Sequence, residues 1–268
     1  MVQTPGWFAV SASAYLLTLS LLVLYLDGVA LTASLVLVVV TGSAGLVALA
    51  GHLHPRPAVA LADRRLHVAL VAVPIAVVFM AVYLPGVATV SPADPANWLF
   101  VFWTMTGCAL YMSAANAQAR HYERQSDRVV HLRVRPTFRT RRRRTTVFGA
   151  LGVVLVTIGL GLVFHVPSAL SSFVMGMGFT SLFSGILGAK RPRTYRLLDE
   201  GIVRQDNGAV VRSYVPHSRI ETAERDGEEL CLERRGLWYP ATAFVVKDEG
   251  GDRTAATRWF DTDAGEFR

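Results

Sequence analysis

The stretch that decides the fold class of this chain spans residues 145–189 and reads TTVFGALGVVLVTIGLGLVFHVPSALSSFVMGMGFTSLFSGILGA. It contains no Asp, Glu, Lys or Arg over 45 residues. A helix needs about 20 apolar residues to cross about 30 Å of hydrocarbon, so this stretch is about twice the length of one crossing. Because the HVPS sequence at 165–168 supplies a turn, we expect two spans, at 146–164 and 168–189.

Four earlier stretches are also uncharged, and they predict spans at 7–26, 29–50, 68–86 and 97–117. Of the 268 residues, 52% are hydrophobic and 18% are charged, and the mean hydropathy is +0.37. This composition excludes a disordered chain and argues against an ordinary soluble domain. The predicted fold class of residues 1–189 is therefore a membrane α-helical bundle of six transmembrane helices.

The net charge of +7 is unevenly distributed. Residues 1–189 hold 13 arginines and 5 acids, whereas residues 190–268 hold 14 basic and 15 acidic residues. Ten of the arginines lie between Arg120 and Arg144, in a predicted arginine-rich cytoplasmic loop at 118–145. The basic excess thus belongs to one segment of the membrane domain.

Basic residues also orient the predicted spans. Loops that are retained in the cytoplasm are rich in Lys and Arg, and translocated loops are poor in them. The three predicted outer loops contain only Asp27, Asp94 and His165 as ionisable residues, whereas the alternate loops contain every Lys and Arg of the membrane part. We therefore expect a multi-pass protein of the cell membrane with cytoplasmic N- and C-termini.

Four arginines, Arg141, Arg142, Arg143 and Arg144, directly precede the fifth span. A cation at an anionic leaflet contributes about 1 kcal/mol of attraction, so we predict that these side chains contact lipid head groups; a purely topogenic role is the alternative. The preceding VVHLRVR sequence predicts a short strand or a segment lying along the head groups. Nucleic acid is not an expected partner, because only Phe138 and Tyr122 are available for base stacking.

Residues that would carry chemistry are sparse. No span contains an Asp, Glu, Lys or Arg, which argues against ion-coupled transport through a carboxylate. The chain has no zinc-protease, nucleophile-elbow, P-loop or dinucleotide-binding motif. His52, His54 and His67 lie near one another in sequence, but no carboxylate or helical pairing supports a metal site, so we expect interfacial side chains. We predict no catalytic residue, no metal and no cofactor.

Small residues recur at four-residue spacing in the sixth span, as in Ser172 with Gly176 and Ser181 with Gly185. Such spacing lets helix backbones approach closely in lipid. We expect packing within the bundle, with a homodimer seam as the alternative.

After residue 190 the pattern changes to alternation with regular turns, which predicts an antiparallel β domain over 190–268. Asn207-Gly208 and Asp226-Gly227 favour hairpin turns, and Gly250-Gly251 marks a third turn. A small roll or barrel is expected, with these core residues: Ile202, Val211, Ile220, Leu230, Leu232, Trp238, Phe244, Val246 and Trp259.

Three segments of this domain carry a resemblance. Leu198 to Val203 (LDEGIV), Pro216 to Ile220 (PHSRI) and Tyr239-Pro240 to Phe244 (YPATAF) resemble prokaryotic PH-like domains of the YcxB-like type. The resemblance covers under a third of the chain. It implies a PH-like roll that serves as a membrane-tethered interaction module without catalytic residues.

These features predict a non-enzymatic scaffold or regulatory interaction protein that displays a PH-like domain at the cytoplasmic face. Its expected partners are anionic lipid and an unidentified protein. A channel or carrier for a neutral solute is the alternative function, and an intramembrane enzyme ranks third. Ser171, Ser172, Thr180, Ser181 and Ser184 are the polar residues of the sixth span that bear on the transport alternative.

Overall fold

The computed structural model describes residues 6–54, 56–83, 95–127, 129–165, 169–188, 192–206, 209–226, 229–234 and 242–246. Across these residues the chain divides into two compact units. The first comprises Met1–Gln118 and Leu155–Met177, and the second comprises Ala119–Val154 and Gly178–Arg268.

Helices dominate the membrane part, and each predicted span coincides with one of them over most of its length. They are α1 (Gly6–Leu26), α2 (Ala33–Leu53), α3 (Pro57–Asp63), α4 (Leu66–Tyr83), α5 (Pro95–Gln125), α6 (Phe138–His165) and α7 (Ala169–Gly188). Among the described residues, four helices contain stretches long and apolar enough to cross a membrane: Gly6–Leu26, Ala33–Leu53, Trp98–Gln125 and Thr140–Gly161. The apolar helical stretches Leu66–Val77 and Ser171–Leu187 are shorter. Four of the described helices are thus candidate membrane spans by length and composition.

Helix α2 begins later than residue 29, where we predicted its start. Gly28 adopts a φ of +79°, a left-handed conformation that glycine tolerates. Residues 29–32 lie outside the helix, and the side-chain Oγ1 of Thr32 accepts a hydrogen bond from the backbone N of Leu35 at 3.3 Å. This N-cap starts the helix at Ala33, because it satisfies one of the backbone donors that a helix start leaves free.

Helix α2 also shows how these helices are suited to lipid. Its one buried residue is Ser43, while apolar side chains such as Leu37 and Val38 are two-thirds exposed. A helix with apolar side chains all round would be unfavourable in water, but hydrocarbon solvates it.

Aromatic and small residues pack the first unit. On α1, Tyr15 is buried, and its ring lies 5.9 Å from that of Trp103 on α5. The Oγ1 atoms of Thr18 and Thr106 are 3.3 Å apart. At Gly107 a Cβ atom would lie 2.8 Å from the backbone oxygen of Leu70, so α4 and α5 approach closely because this position lacks a side chain.

The second unit contains a seven-stranded antiparallel sheet. Its strands are β1 (Val130–Pro136), β2 (Arg193–Leu198), β3 (Gly201–Asp206), β4 (Arg212–Pro216), β5 (Ile220–Asp226), β6 (Glu229–Arg234) and β7 (Thr242–Val246), arranged in the order β4-β3-β2-β1-β7-β6-β5. A 3-10 helix at His217–Arg219 connects β4 to β5. The antiparallel β domain predicted for the tail is therefore present, with one strand more than the tail itself supplies.

That extra strand revises the predicted organisation. The segment 118–145, which we predicted to be a loop, consists of the end of α5, the strand β1 and the start of α6. β1 pairs with β2 from Val130↔Leu197 to Val134↔Arg193, and it pairs with β7 on its other side. The strand predicted as one alternative for VVHLRVR is confirmed, and the β domain is not confined to 190–268.

Strand alternation divides the side chains of β1–β4 between two faces. One face holds a buried apolar cluster: Leu132, Val134, Tyr195, Leu197, Ile202, Val215 and Ile220. The other face carries a smaller cluster of Leu198, Val203 and Tyr214, which packs against Ala119 of α5. Of the predicted core residues, Ile202 and Ile220 are confirmed as buried and Val211 is half-buried, whereas the remaining predicted core side chains and the predicted hairpin glycines lie outside the described residues.

Helices α6 and α7 pack closely within the second unit. A Cβ atom at Gly185 would lie 2.9 Å from Cβ of Phe148, and one at Gly152 would lie 2.9 Å from the backbone oxygen of Gly178. Thr145 Oγ1 donates a hydrogen bond to the carbonyl of Gly185 at 3.2 Å. The small residue at 185 therefore serves packing within the chain, as expected, whereas a Cβ at Gly176 would meet nothing within 4 Å.

Gly201 provides a test of the sheet. It pairs with Leu198 and with Pro216, and a Cβ atom there would clash with the carbonyl oxygen of Val215 and lie 2.9 Å from Cα of Pro216. We predict that Gly201→Ala lowers the free energy of unfolding by about 1–3 kcal/mol, the usual range for overpacking. Thermal unfolding of the detergent-solubilised protein measures the loss. Gly149→Ala is the matched control, because a Cβ at Gly149 meets nothing within 4 Å; equal stabilities of the two variants would contradict the described register.

Candidate functional site: the arginine-rich segment

The basic side chains of β1 alternate with buried ones. His131, Arg133 and Arg135 are exposed, while Leu132 and Val134 are buried beneath the strand. We call the three exposed residues the β1 basic row. Because β1 lies between β2 and β7, this row occupies the middle of the sheet rather than an edge. The sheet thus presents exposed cations on a central strand.

The structure separates the four arginines that we predicted to contact head groups. Arg141 donates a hydrogen bond through Nε to the carbonyl of Pro136 at 2.8 Å, and Arg144 forms an ion pair with Asp206. Arg142 and Arg143 are exposed. Two of the four side chains therefore hold the start of α6 against the sheet, and two remain accessible to a ligand.

The first turn of α6 combines these cations with an exposed aromatic side chain. Phe138, the first residue of α6, is 78% exposed, and Arg142 lies four residues further along the helix. Residues at this spacing share one helix face. An aromatic ring beside arginines is typical of segments at a membrane–water interface.

On the apolar face of the sheet, three arginines converge on one carboxylate. Nη1 of Arg144 lies 2.7 Å from Oδ2 of Asp206, and Nε of Arg193 and Nη2 of Arg204 each lie 3.2 Å from Oδ1. Register explains the arrangement, because Arg193 pairs directly with Asp206 while Tyr195 pairs with Arg204. We call Arg144, Arg193, Arg204 and Asp206 the Asp206 cluster; its formal charge is +2.

Burial and charge oppose each other in the Asp206 cluster. Burial by itself would raise the pKa of Asp206, but Arg204, Arg193 and Arg144 outweigh it and hold that pKa below its usual value. Burial, followed by repulsion from Arg204, lowers the pKa of Arg193. The neighbouring arginines thus favour the charged form of Asp206. Burial and repulsion from Arg204 disfavour the charged form of Arg193, the most buried arginine of the cluster.

A second acid organises the opposite face of the sheet. Glu123, near the end of α5, forms ion pairs with Arg196 at 2.6 Å and with Arg212 at 3.0 Å. One helix position earlier, the ring of Tyr122 stacks on that of Tyr214, with the centroids 4.0 Å apart and the planes 10° apart. These contacts fix the end of α5 on strands β2–β4. Arg196 and Arg212, which lie on the same face as the β1 basic row, are thereby paired with Glu123.

The end of α5 also contacts the turn between β2 and β3. Ser126 Oγ donates a hydrogen bond to Oδ2 of Asp199 at 2.9 Å, and the backbone N of Asp127 donates to the same oxygen at 3.0 Å. The helix end is therefore held by apolar, ionic and hydrogen-bond contacts together.

The histidines that we considered as metal ligands do not form a cluster. His52 and His54 are exposed, whereas His67 is buried and stacks on Tyr111 with a centroid separation of 5.0 Å. Across the part of the chain that the structure describes, no group of three or more His, Cys, Asp or Glu side chains is placed to hold a metal ion.

Comparisons with protein-family models, with curated proteins and with solved structures give no match for this chain. The predicted PH-like resemblance therefore has no support from them.

Sequence reasoning identified the arginines but missed their acidic partners. Glu123 and Asp206 are isolated acids in sequence, and Asp206 directly precedes the predicted Asn207-Gly208 turn. The alternation in VVHLRVR predicted the strand β1 as one of two alternatives. No local pattern indicated that this strand would pair with residues 193–198, far along the chain.

The lowered pKa of Asp206 generates a pH prediction. A carboxyl whose pKa falls on folding stabilises the native state above its unfolded pKa of about 3.9, and this contribution is lost as the pH falls through the lower, folded pKa. At pH 7 we expect Asp206→Asn to lower the free energy of unfolding by about 2 kcal/mol, the order of a hydrogen bond to a charged group. Thermal unfolding between pH 7 and pH 3 measures both proteins. The difference between them should shrink below about pH 4, and a constant difference would contradict the role of this carboxylate.

Proposed function

We propose that this chain is a six-span protein of the cell membrane with cytoplasmic termini, and that it acts as a non-enzymatic scaffold or regulatory interaction protein. Its β domain is displayed at the cytoplasmic face. The observation that carries the proposal is the position of β1, which joins the arginine-rich segment to the tail in one sheet.

The pairing of β1 with β2 supports an even number of crossings between them. β1 ends at Pro136, β2 begins at Arg193, and the two strands are hydrogen-bonded along their length. Strands that pair directly lie on the same side of the membrane, so the connecting helices α6 and α7 either both cross or both fail to cross. Since α6 contains an apolar stretch of spanning length, α7 crosses as well.

Charge supports the side on which the sheet lies. The sheet contains the most arginine-rich segment of the chain, with ten arginines between residues 120 and 144. Segments of this kind are retained in the cytoplasm. An even number of crossings before β1, provided by α1, α2, α4 and α5, places the N-terminus on the same side.

We assign the two expected partners, anionic lipid and a protein, to two different surfaces. The exposed Phe138, Arg142 and Arg143 contact anionic head groups, because an aromatic residue and cations share the start of a spanning helix. The β1 basic row binds an acidic protein segment, because its cations are exposed on a central strand.

We also propose that the sheet folds as a PH-like roll. Seven antiparallel strands support this reading, as does the placement of the resembling segments at the β2–β3 turn and at the 3-10 helix between β4 and β5. The transport alternative receives no comparable support. On α7, Ser172, Thr180 and Ser184 are exposed while Ser171 is buried, so these polar residues do not form one stripe directed into a bundle.

Cysteine labelling tests the orientation. In a background of Cys108→Ser and Cys231→Ser, the exposed positions Ser218 and Asp27 are replaced separately by Cys. We expect membrane-impermeant PEG-maleimide to label Asp27→Cys in intact cells and Ser218→Cys only after the membrane is permeabilised. Each variant is the control for the other. Labelling of Ser218→Cys in intact cells would place the β domain outside and overturn the proposal.

Lipid titration tests the head-group contact. The double variant Arg142→Gln/Arg143→Gln should weaken binding to micelles containing phosphatidylglycerol by up to about 30-fold, since each arginine contributes about 1 kcal/mol. Binding to phosphatidylcholine micelles should not change. Arg133→Gln/Arg135→Gln removes the same charge from the β1 basic row and should have little effect. Equal losses in the two double variants would show that the attraction is diffuse and not local to α6.

A further inference from the structure

Arg144 and Arg193 bring more N–H donors to Asp206 than its two oxygens, which Arg204 also contacts, can accept. Each guanidinium group carries five N–H donors. Oδ1 already contacts both Arg193 and Arg204, and Oδ2 contacts Arg144. The buried Nε of Arg144 has no hydrogen-bond partner among the described residues.

The cluster is buried enough for this excess to matter. The side chain of Arg193 is 4% exposed, those of Arg144 and Asp206 are each 18% exposed, and that of Arg204 is 23% exposed. Water solvates only the outer part of the group, and a surplus of buried positive charge is costly unless it is paired. Burial, followed by repulsion from Arg204, lowers the pKa of Arg193.

The location of the cluster also favours an anion. Arg144 comes directly before the uncharged run of α6, and Arg193 begins the strand that follows α7, so two of the three arginines flank the helical hairpin. Arg144 on α6 and Arg193 on β2 converge on the same carboxylate from different elements. Convergent guanidinium groups match the several acceptor oxygens of a phosphate.

We propose that Arg144, Arg193 and Arg204 form a binding site for a phosphate group, which shares the three guanidinium groups with Asp206. The phosphate belongs either to a lipid head group or to a soluble phosphate compound, and the chemistry of recognition is the same for both. This inference goes beyond the proposed function, because the site is separate from the exposed arginines Arg142 and Arg143 and operates whether or not these contact lipid.

The experiment uses the full chain in a maltoside detergent, which contains no phosphate. Inorganic phosphate and phosphatidic acid are titrated separately, against sodium chloride at matched ionic strength and against oleate, an anionic lipid without phosphate. Binding is followed by the rise in unfolding temperature, because a ligand that binds only the native state stabilises it. We expect at least one of the two phosphate probes to stabilise the protein more than its control. Stabilisation by phosphatidic acid alone assigns a lipid source, and stabilisation by inorganic phosphate assigns a soluble one.

Variants distinguish a site from general attraction of anions. Arg193→Gln should weaken binding of the phosphate probe by about tenfold or more, because a charge-assisted contact is lost. Arg142→Gln removes an equal charge from an exposed position on α6 and should change the inorganic phosphate affinity by less than about twofold. Equal losses in these two variants, or no stabilisation by either probe, would overturn the proposal.

Asp206→Asn gives the sharper test, because it has the opposite expected sign. Asp206 competes with the phosphate for the same guanidinium groups, so its neutralisation should tighten phosphate binding by about tenfold even though it lowers the stability of the unliganded protein. A cluster that is only a closed ion-pair network predicts no such gain. If Arg193→Gln does not fold, Asp206→Asn decides the question alone, and weaker or unchanged phosphate binding in that variant refutes the site.

Discussion

The pairing of β1 with β2 and β7 constrains the rest of the molecule. A strand between α5 and α6 is hydrogen-bonded to strands that follow α7, so the chain leaves the sheet, forms two apolar helices and returns to the adjacent position. Backbone hydrogen bonds in a sheet require both strands in the same aqueous compartment, because neither strand can satisfy its donors within hydrocarbon. The sheet thereby limits how the α6–α7 hairpin can pass through a membrane.

Two acids determine how the arginines of this region are used. Glu123 pairs with Arg196 and Arg212 on one face of the sheet, and Asp206 pairs with three arginines on the other. Both acids are largely buried, so these contacts are stronger than ordinary surface ion pairs. The remaining exposed cations lie on the β1 basic row and at the start of α6. A segment that is strongly basic in sequence thus contains arginines in ion pairs that hold the fold together and arginines that are exposed to solvent.

Much of the helical part followed from sequence, because hydrocarbon imposes a requirement that is local: about 20 apolar residues without charge. A helix is present at each of the six predicted spans, although only four contain a described stretch of spanning length, and the short helix α3 was not predicted. The other errors lie at the helix ends, where caps and packing decide. Thr32 delays the start of α2 because its side chain caps the helix. α5 runs on to Gln125 because Tyr122 and Glu123 find partners on the sheet, so that polar residues at the end of the helix remain helical.

By itself, the sequence determined the apolar helices, the uneven charge, the strand pattern of the tail and the alternation of β1, since each of these depends on residues close together in the chain. Only the tertiary structure decided that β1 belongs to the sheet of the tail and that Asp206 and Glu123 meet the arginines. It also decided that Arg141 and Arg144 differ in environment from Arg142 and Arg143. The pairing of β1 with β2 and the ion pairs Arg144–Asp206 and Glu123–Arg196 join residues about 60 or more positions apart, and pairing at such a distance leaves no local pattern.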